Sequence, residues 1–356
     1  MPRSPRPAIE SGTRRATVEM RADLHDRIER ILVRYPRWQG ILDEIAFIHE
    51  HAVRAAEPRG LLLTGPKGAG KTTLMDSYVA LHPPILTGQT VKRPVVLATV
   101  PSHATPGALA SALLRGMGDP RWDRGTLANK TFRLLGYLEA CETRLLVLDE
   151  IQHFQDSASQ HVLETGASWL KNLIKDKQVK MGCVLVGLEN QTDQLMQANG
   201  GQLGRFFSDP YVLRPLVWDD GDGLHTNEFR LFLGVLDDLL PLGGRSNLAS
   251  ADLAWRCYVA SEGLINYVMR LVRRAAYLAV DHGQDRIDIG LLHEAFTREL
   301  AGDRRGIPNP FEGDLPTAPQ QVSALARAGV AGVNRRGRAG RLNPVAPRRV
   351  QQVLEP

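Results

Sequence analysis

The 356-residue chain has little of what marks a secreted, metal-stapled or membrane-embedded protein. Its three cysteines, Cys141, Cys183 and Cys257, stand far apart in apolar surroundings, with no C-x-x-C pair and no Cys/His spacing. That arrangement excludes a disulfide framework and a zinc cluster, and leaves three small buried hydrophobes in a reducing compartment. No apolar run approaches the roughly 18 residues of a membrane span, and the first residues lack the apolar core of a signal peptide. The expectation is a cytoplasmic protein with no membrane partner. A broadly basic body is missing as well. The net charge of +5 gathers at the ends: the first 21 residues carry +3 and residues 303–356 carry +5, which leaves the body at −3. Basic ends suit an anionic polymer or simply keep a chain soluble, and the residues alone leave both open.

What is present begins at Gly60–Thr73, which reads GLLLTGPKGAGKTT. A short apolar run breaks at a glycine-rich turn and resumes as a helix, the context of a phosphate-binding loop. A triphosphate cradle needs backbone N–H groups turned inward, which side chains would obstruct; hence Gly65, Gly68 and Gly70 among Pro66, Lys67 and Ala69. Lys71 supplies charge to the β- and γ-phosphates, and Thr72, followed by Thr73, offers a hydroxyl to Mg²⁺. The helix opening there adds its positive dipole end. The cofactors implied are ATP and Mg²⁺.

The length allows about two domains. Met1–Thr17 is Pro/Arg-rich without periodicity, which predicts a flexible arm, and Leu24, Ile28, Ile31 and Leu32 then recur at helical spacing. A second helical pattern runs from Ile41 to Ala52. After the loop, apolar strands are expected at Val95–Val100, Arg144–Glu150, Met181–Gly187 and Tyr211–Leu216, with helices between them, among them Ala108–Leu114 and Leu127–Ala140. Strands apolar along their whole length and alternating with helices predict an α/β fold with a parallel sheet covered on both faces. From about Leu224 only helical patterns follow: Phe229–Leu240, Ala251–Ala260, Leu264–Val280 and Ile289–Leu300. The expected division is a flexible basic arm 1–21, a helical segment 22–58, a nucleotide-binding αβα domain 59–220, a helical lid 221–302 and a flexible Arg/Pro/Gly-rich tail 303–356.

Asp149 and Glu150 close the strand RLLVLDE at its C-terminal edge, where ligands bind in open α/β sheets. If this strand neighbours the loop strand, Asp149 holds the Mg²⁺ with Thr72, and Glu150 orients or deprotonates the attacking water. A nucleotide held between subunits needs a further cation from outside, and Arg205 in Gly204-Arg205-Phe206 is the candidate, with Arg214 second. On the helix from Leu264 to Val280, Asn266, Arg270 and Arg273 share the face opposite the apolar stripe, so Arg270 is a further candidate for the phosphates.

With these residues in hand the chain resembles the AAA+ ATPases, and within them the TniB/TnsC family of transposition regulators. The resemblance runs from about Tyr35 to Leu292. It rests on Tyr35-Pro36-Arg37, GPKGAGKTT, VLDEIQHF, Trp169-Leu170-Lys171-Asn172-Leu173, VLVGLEN, Gly204-Arg205-Phe206, Leu240-Pro241-Leu242 with Ser246-Asn247-Leu248, and Ser261-Glu262-Gly263-Leu264. It implies an AAA+ P-loop ATPase with a small α-helical lid, which assembles as a ring or filament on duplex DNA. It further implies that this homo-oligomer couples a TniQ-type target-selection adaptor to a DDE transposase, with slow hydrolysis and ATP as the assembly switch. Lys71, Thr72, Asp149, Glu150 and Arg205 take their roles by matching the family motifs. Two positions depart from the pattern. Leu188 follows Gly187 where a polar sensor is usual, leaving Glu189 or Asn190 as substitutes, and Asn266 occupies the usual place of a second-sensor Arg, with Arg270 one turn on.

In ring AAA+ proteins on DNA, pore loops would here fall at Ser102–Thr105, which includes His103, and at Arg115–Lys130. Arg115, Arg121, Arg124 and Lys130 then pair with phosphates in a salt-sensitive, sequence-independent way, or remain solvated surface charge. The alternative function is a helicase loader or replication initiator, which would want a DNA-reading domain such as a helix-turn-helix. A secretion-type ATPase would want a membrane span or a peptidoglycan-binding module. The chain displays none of these motifs.

Overall fold

A computed structural model describes residues 9–88, 90–102, 104–154, 160–189, 191–207, 209–218 and 227–316, with the backbone alone for 9–17. The chain divides into two units, Met1–Thr317 and Ala318–Pro356, and every described residue lies in the first.

Two helices, α1 (Ile9–Glu29) and α2 (Pro36–His51), precede β1 (Gly60–Thr64) and α3 (Lys71–Ala80). A small hairpin, β2 (Ile85–Thr87) and β3 (Thr90–Lys92), leads to β4 (Val95–Thr99), α4 (Pro106–Met117), α5 (Leu127–Ala140) and β5 (Leu145–Asp149). A 3₁₀ turn at Ile151–Phe154 is followed by α6 (Gln160–Ile174), β6 (Gly182–Gly187), α7 (Asp193–Gly201), a 3₁₀ turn at Gly204–Phe206 and β7 (Tyr211–Val212). The lid holds α8 (Glu228–Leu239), α9 (Ala251–Ser261), α10 (Ile265–His282) and α11 (Ile289–Glu299). Polar caps start several helices: Thr105, Thr126, Asn227 and Asp288 each accept a backbone N–H from the third residue on.

Four five- or six-residue strands and the short β7 form one parallel sheet in the order β4-β5-β6-β1-β7. The apolar runs of β1, β5 and β6 are buried on both faces; Leu62, Leu146, Leu148 and Leu185 pack with α4, α5 and α6 in the main core. Such burial is worth about 1.5–3 kcal/mol per Leu side chain and stabilises this arrangement over a half-exposed antiparallel sheet. The order also corrects the expected neighbourhood of the loop strand. β6 lies between β1 and β5, so Asp149 stands two strands from the phosphate loop.

Other differences are local. Helix α1 starts at Ile9, inside the stretch expected to be a flexible arm, and ends at Glu29. Ile31, Val33 and Tyr35 then alternate inward along a non-helical segment, so the apparent helical spacing at Ile31 and Leu32 is coincidental. Residues 303–316, expected in the tail, fold back on the lid: the buried Arg256 donates to Pro310 O (2.7 Å) and Gly313 O (3.0 Å), and Trp255 Nε1 donates to Pro316 O (2.7 Å). The Arg-rich remainder lies outside the described residues. Among the described residues no helix is long and apolar enough to cross a membrane.

One buried histidine makes stability depend on pH. His49 of α2 shares a 2.9 Å hydrogen bond with the Tyr78 hydroxyl of α3. Burial, helped by His82 and Arg144, lowers its pKa from the ordinary 6.5 to about 4. The unfolded chain therefore binds the extra proton first, so this contribution is intact above pH 6.5 and is lost as the pH falls toward 4. The expected loss is at most about 3 kcal/mol. Urea midpoints measured across that range should fall in the parent and flatten in His49→Gln.

Candidate nucleotide-binding site

The loop after β1 is shaped by its glycines. Gly65, Gly68 and Gly70 have φ of 153°, 82° and 94°, and Gly70 caps α3 in the left-handed region. A Cβ at Gly65 would lie 2.3 Å from Leu213 O, in the chain leaving β7. The turn is thus closed against the neighbouring strand, and Ala69 N donates back to Pro66 O within it (3.3 Å). Lys71 is buried, and its Nζ donates to Gly65 O (2.8 Å) and Pro66 O (3.0 Å). Burial lowers its pKa, while Glu150 and Asp149 pull it up.

Although β6 separates their strands, Thr72 Oγ1 donates to Asp149 Oδ2 at 2.7 Å. The first turn of α3 reaches across the C-terminal edge of the sheet, so the expected pair meets without neighbouring strands. Asp149 is buried, and its Oδ1 accepts from Glu150 N at 2.8 Å. Glu150 takes a φ of 59°, rare for a residue with a side chain. Its carboxylate accepts from Gln152 Nε2. A hydroxyl, a buried carboxylate and a second, half-buried carboxylate therefore converge beside the loop, the donor set a hard cation and an attacking water require.

Lys67, Gly68, Gly70, Lys71, Thr72 and Glu150 line a cavity of about 570 Å³. Ile31, Val33, Tyr35, Trp38, Phe232 and Met269 line the same cavity, and the Trp38 ring lies beside the loop, 3.5 Å from where a Cβ on Gly70 would stand. Two polar atoms of these apolar lining residues, Tyr35 Oη and Trp38 Nε1, are buried without a hydrogen-bond partner among the described residues. Such atoms are costly unless something else satisfies them. An apolar slot with unsatisfied polar atoms, continuous with a phosphate loop, fits a purine nucleotide. Trp38 belongs to no motif, and Tyr35 is marked in the sequence only as part of the block Tyr35-Pro36-Arg37. Arg37 ties the same segment to the lid boundary, donating to Arg214 O (2.9 Å) and Glu228 Oε2 (2.6 Å).

The helix α10 meets the loop differently from the expectation. Asn266 sits against it, its N–H donating to Gly68 O at 3.0 Å. Arg270 is engaged elsewhere: it pairs with Asp303 (2.5 Å) and donates to Glu299 O (2.5 Å) in an adjoining cleft shared with Lys67 and Gly68. Arg273 is the α10 cation that lines the main cavity, but its Nη2 donates to Ile31 O (3.1 Å) and it pairs with Glu29. Both arginines are thus engaged by carboxylates and backbone carbonyls away from Lys71 and Thr72.

Arg205 is exposed on the turn Gly204–Phe206, and Phe207 pairs with Gly60 at the N-terminal end of β1, opposite the loop. Arg214 lies 3.9 Å from Glu189. Asn190 and His103 lie outside the described residues. Arg115, Arg121 and Arg124 are exposed, Arg115 lies over the Trp122 ring (5.4 Å), and Lys130 donates to Ser111 (2.8 Å); none of them lines the cavity.

Comparison with known proteins gives the family and the fold. The family described as "Bacterial TniB protein" matches residues 26–210, more than half of the chain. No curated protein matches. Among solved structures the chain is similar to the Aeropyrum pernix ORC2 protein in ADPNP–ADP complexes, at 17% identity and a TM-score of 0.54, covering 79% of this chain and 71% of that one. It is also similar to the Aeropyrum pernix ORC1 protein in complex with DNA, at 17% identity and 0.53, covering 75% and 66%. A third likeness is to Cdc6p from Pyrobaculum aerophilum, at 16% identity and 0.53, covering 80% and 74%. At such identities the likeness is one of fold: the parallel sheet and following helices are those of an AAA+ ATPase.

Proposed function

The chain belongs to the TniB family, AAA+ proteins of transposition, and from that premise we propose that it is an ATP-gated regulator that oligomerises on duplex DNA. In this reading it couples a TniQ-type adaptor at the target to a DDE transposase, and slow hydrolysis releases the assembly. The observation that carries the nucleotide part is that Lys71, Thr72 and Glu150, with Asp149 bonded to Thr72, meet at a cavity also lined by Tyr35, Trp38 and Phe232.

The roles follow from the chemistry. The loop amides and Lys71 hold the β- and γ-phosphates of ATP, while Tyr35 and Trp38 have polar atoms free for the base. Thr72 and Asp149 would hold Mg²⁺, which when bound neutralises charge on the phosphate oxygens. Glu150 accepts the proton of the attacking water, and Arg205 serves the site of a neighbouring subunit. Asn266 fixes the lid on the loop at Gly68, so that closing the lid and filling the site are linked.

DNA contact is proposed for the surface bearing Arg115, Arg121, Arg124 and Lys130. Each phosphate contact releases counterions, so removing one lowers the slope of log affinity against log salt by about 0.9. The triple variant Arg115→Ala/Arg121→Ala/Arg124→Ala should bind duplex DNA more weakly in ATP, with a shallower salt slope and little change in sequence preference. Fluorescence anisotropy at several salt concentrations measures this, and an unchanged slope would remove that surface from the DNA interface. Microscopy of the parent with duplex DNA should show rings or filaments with a slow ATP analogue and none with ADP.

A further inference from the structure

We propose that Gln152 is the positioning residue for Glu150, tying its carboxylate to the end of β6 in place of a polar sensor side chain. This rests on the reading of Glu150 as the group that activates water.

Gln152 is 5% exposed, on the 3₁₀ turn that follows β5. Its Nε2 donates to Glu150 Oε2, and its Oε1 accepts from Leu188 N at 3.3 Å. The reverse amide orientation would set oxygen against carboxylate and NH₂ against N–H, so both contacts select one orientation. Leu188, where the resemblance implies a polar sensor, has an apolar side chain, but its backbone N–H is a polar group at the end of β6. Gln152 carries that group's position to Glu150. Gly187 makes room for it: a Cβ there would lie 3.1 Å from Gln152 Oε1, 2.7 Å from Ile151 Cγ2 and 2.6 Å from Thr192 Cγ2. Glu150 needs such a restraint. Its left-handed backbone alone leaves the side chain several rotamers, and a base must be held to a fraction of an ångström to act on a bound water.

The test is steady-state and single-turnover ATP hydrolysis by the full chain on duplex DNA, with Gln152→Leu and Gln152→Glu beside Glu150→Gln. Gln152→Glu keeps the shape and the acceptor for Leu188 N–H but removes the donor to Glu150. Both Gln152 variants should lose about tenfold or more in kcat, with KM for ATP within about twofold of the parent. In the Glu150→Gln background, Gln152→Leu should cost less than about twofold more, because the two residues act as one unit. A merely structural role would instead lower turnover again in that background or raise KM together with the fall in kcat, and either result overturns the proposal. Parental kcat in both Gln152 variants, with Glu150→Gln impaired, removes Gln152 alone. Parental turnover in Glu150→Gln removes the reading of Glu150 and this proposal with it.

Discussion

Replacing Lys71 with Ala should weaken ATP binding by about a hundred- to ten-thousandfold and abolish ring or filament formation on DNA. Lys71 is the buried ammonium of the loop, braced by Gly65 O and Pro66 O. Charge-assisted hydrogen bonds are worth about 1.5–3 kcal/mol each, and each 1.4 kcal/mol is tenfold in affinity. Losing two such contacts to the phosphates gives the stated range. Burial disfavours the charged amine, whereas Glu150 and Asp149 sustain it, and an incoming triphosphate adds to their side of the balance. Titration with a fluorescent ATP analogue measures the first effect and microscopy with DNA the second. A thermal melt close to the parent's would show that the loop still folds. Assembly unchanged in Lys71→Ala would sink the ATP-gating proposal while leaving the fold and family untouched.

The parts of the fold visible in the sequence are those with strong one-dimensional signals. Leu145–Leu148 and Cys183–Val186 are apolar without interruption because helices cover both faces of the sheet, and α5 runs over the predicted Leu127–Ala140. The hairpin β2–β3 went unseen. Its strands are three residues long and its apolar residues Ile85, Leu86 and Val91 point to solvent, so no buried alternation marks it. Residues 303–316 were misread for the opposite reason. Their composition is that of a loop, and they are held through backbone carbonyls by Trp255 and Arg256, a contact no local pattern encodes.

The site divides in the same way. The phosphate loop and the acidic pair are local motifs, but Thr72 meets Asp149 across the intervening β6, a strand order that neither motif encodes. Gln152 was legible only as part of VLDEIQHF. Its partner Leu188 is 36 residues away, and the contact uses a backbone N–H that every residue but proline would supply. Arg270 shows the converse. Its spacing on α10 put it on the expected face, and the return of residues 299–303 supplied acids that engage it.

Arg205→Ala should lower hydrolysis by the assembled protein about a thousandfold, with ATP binding by isolated subunits within about twofold of the parent. The geometry argues against action in its own site. Arg205 precedes Phe207, which pairs with Gly60, whereas the phosphate loop begins beyond Thr64 at the other end of the same strand. A five-residue strand rises about 16 Å, farther than an arginine side chain reaches. Arg205 is exposed, so a neighbouring copy packed head to tail can receive it, whereas Arg214 is turned toward Glu189 and its carbonyl is held by Arg37. Mixing separates action in trans from local damage. Arg205→Ala subunits keep an intact site, Glu150→Gln subunits keep an intact arginine, and in a randomly mixed head-to-tail assembly about a quarter of the interfaces combine the two. Equal amounts of the two variants should therefore recover turnover well above either alone. No recovery, in assemblies shown by microscopy to contain both, would return Arg205 to a purely local role.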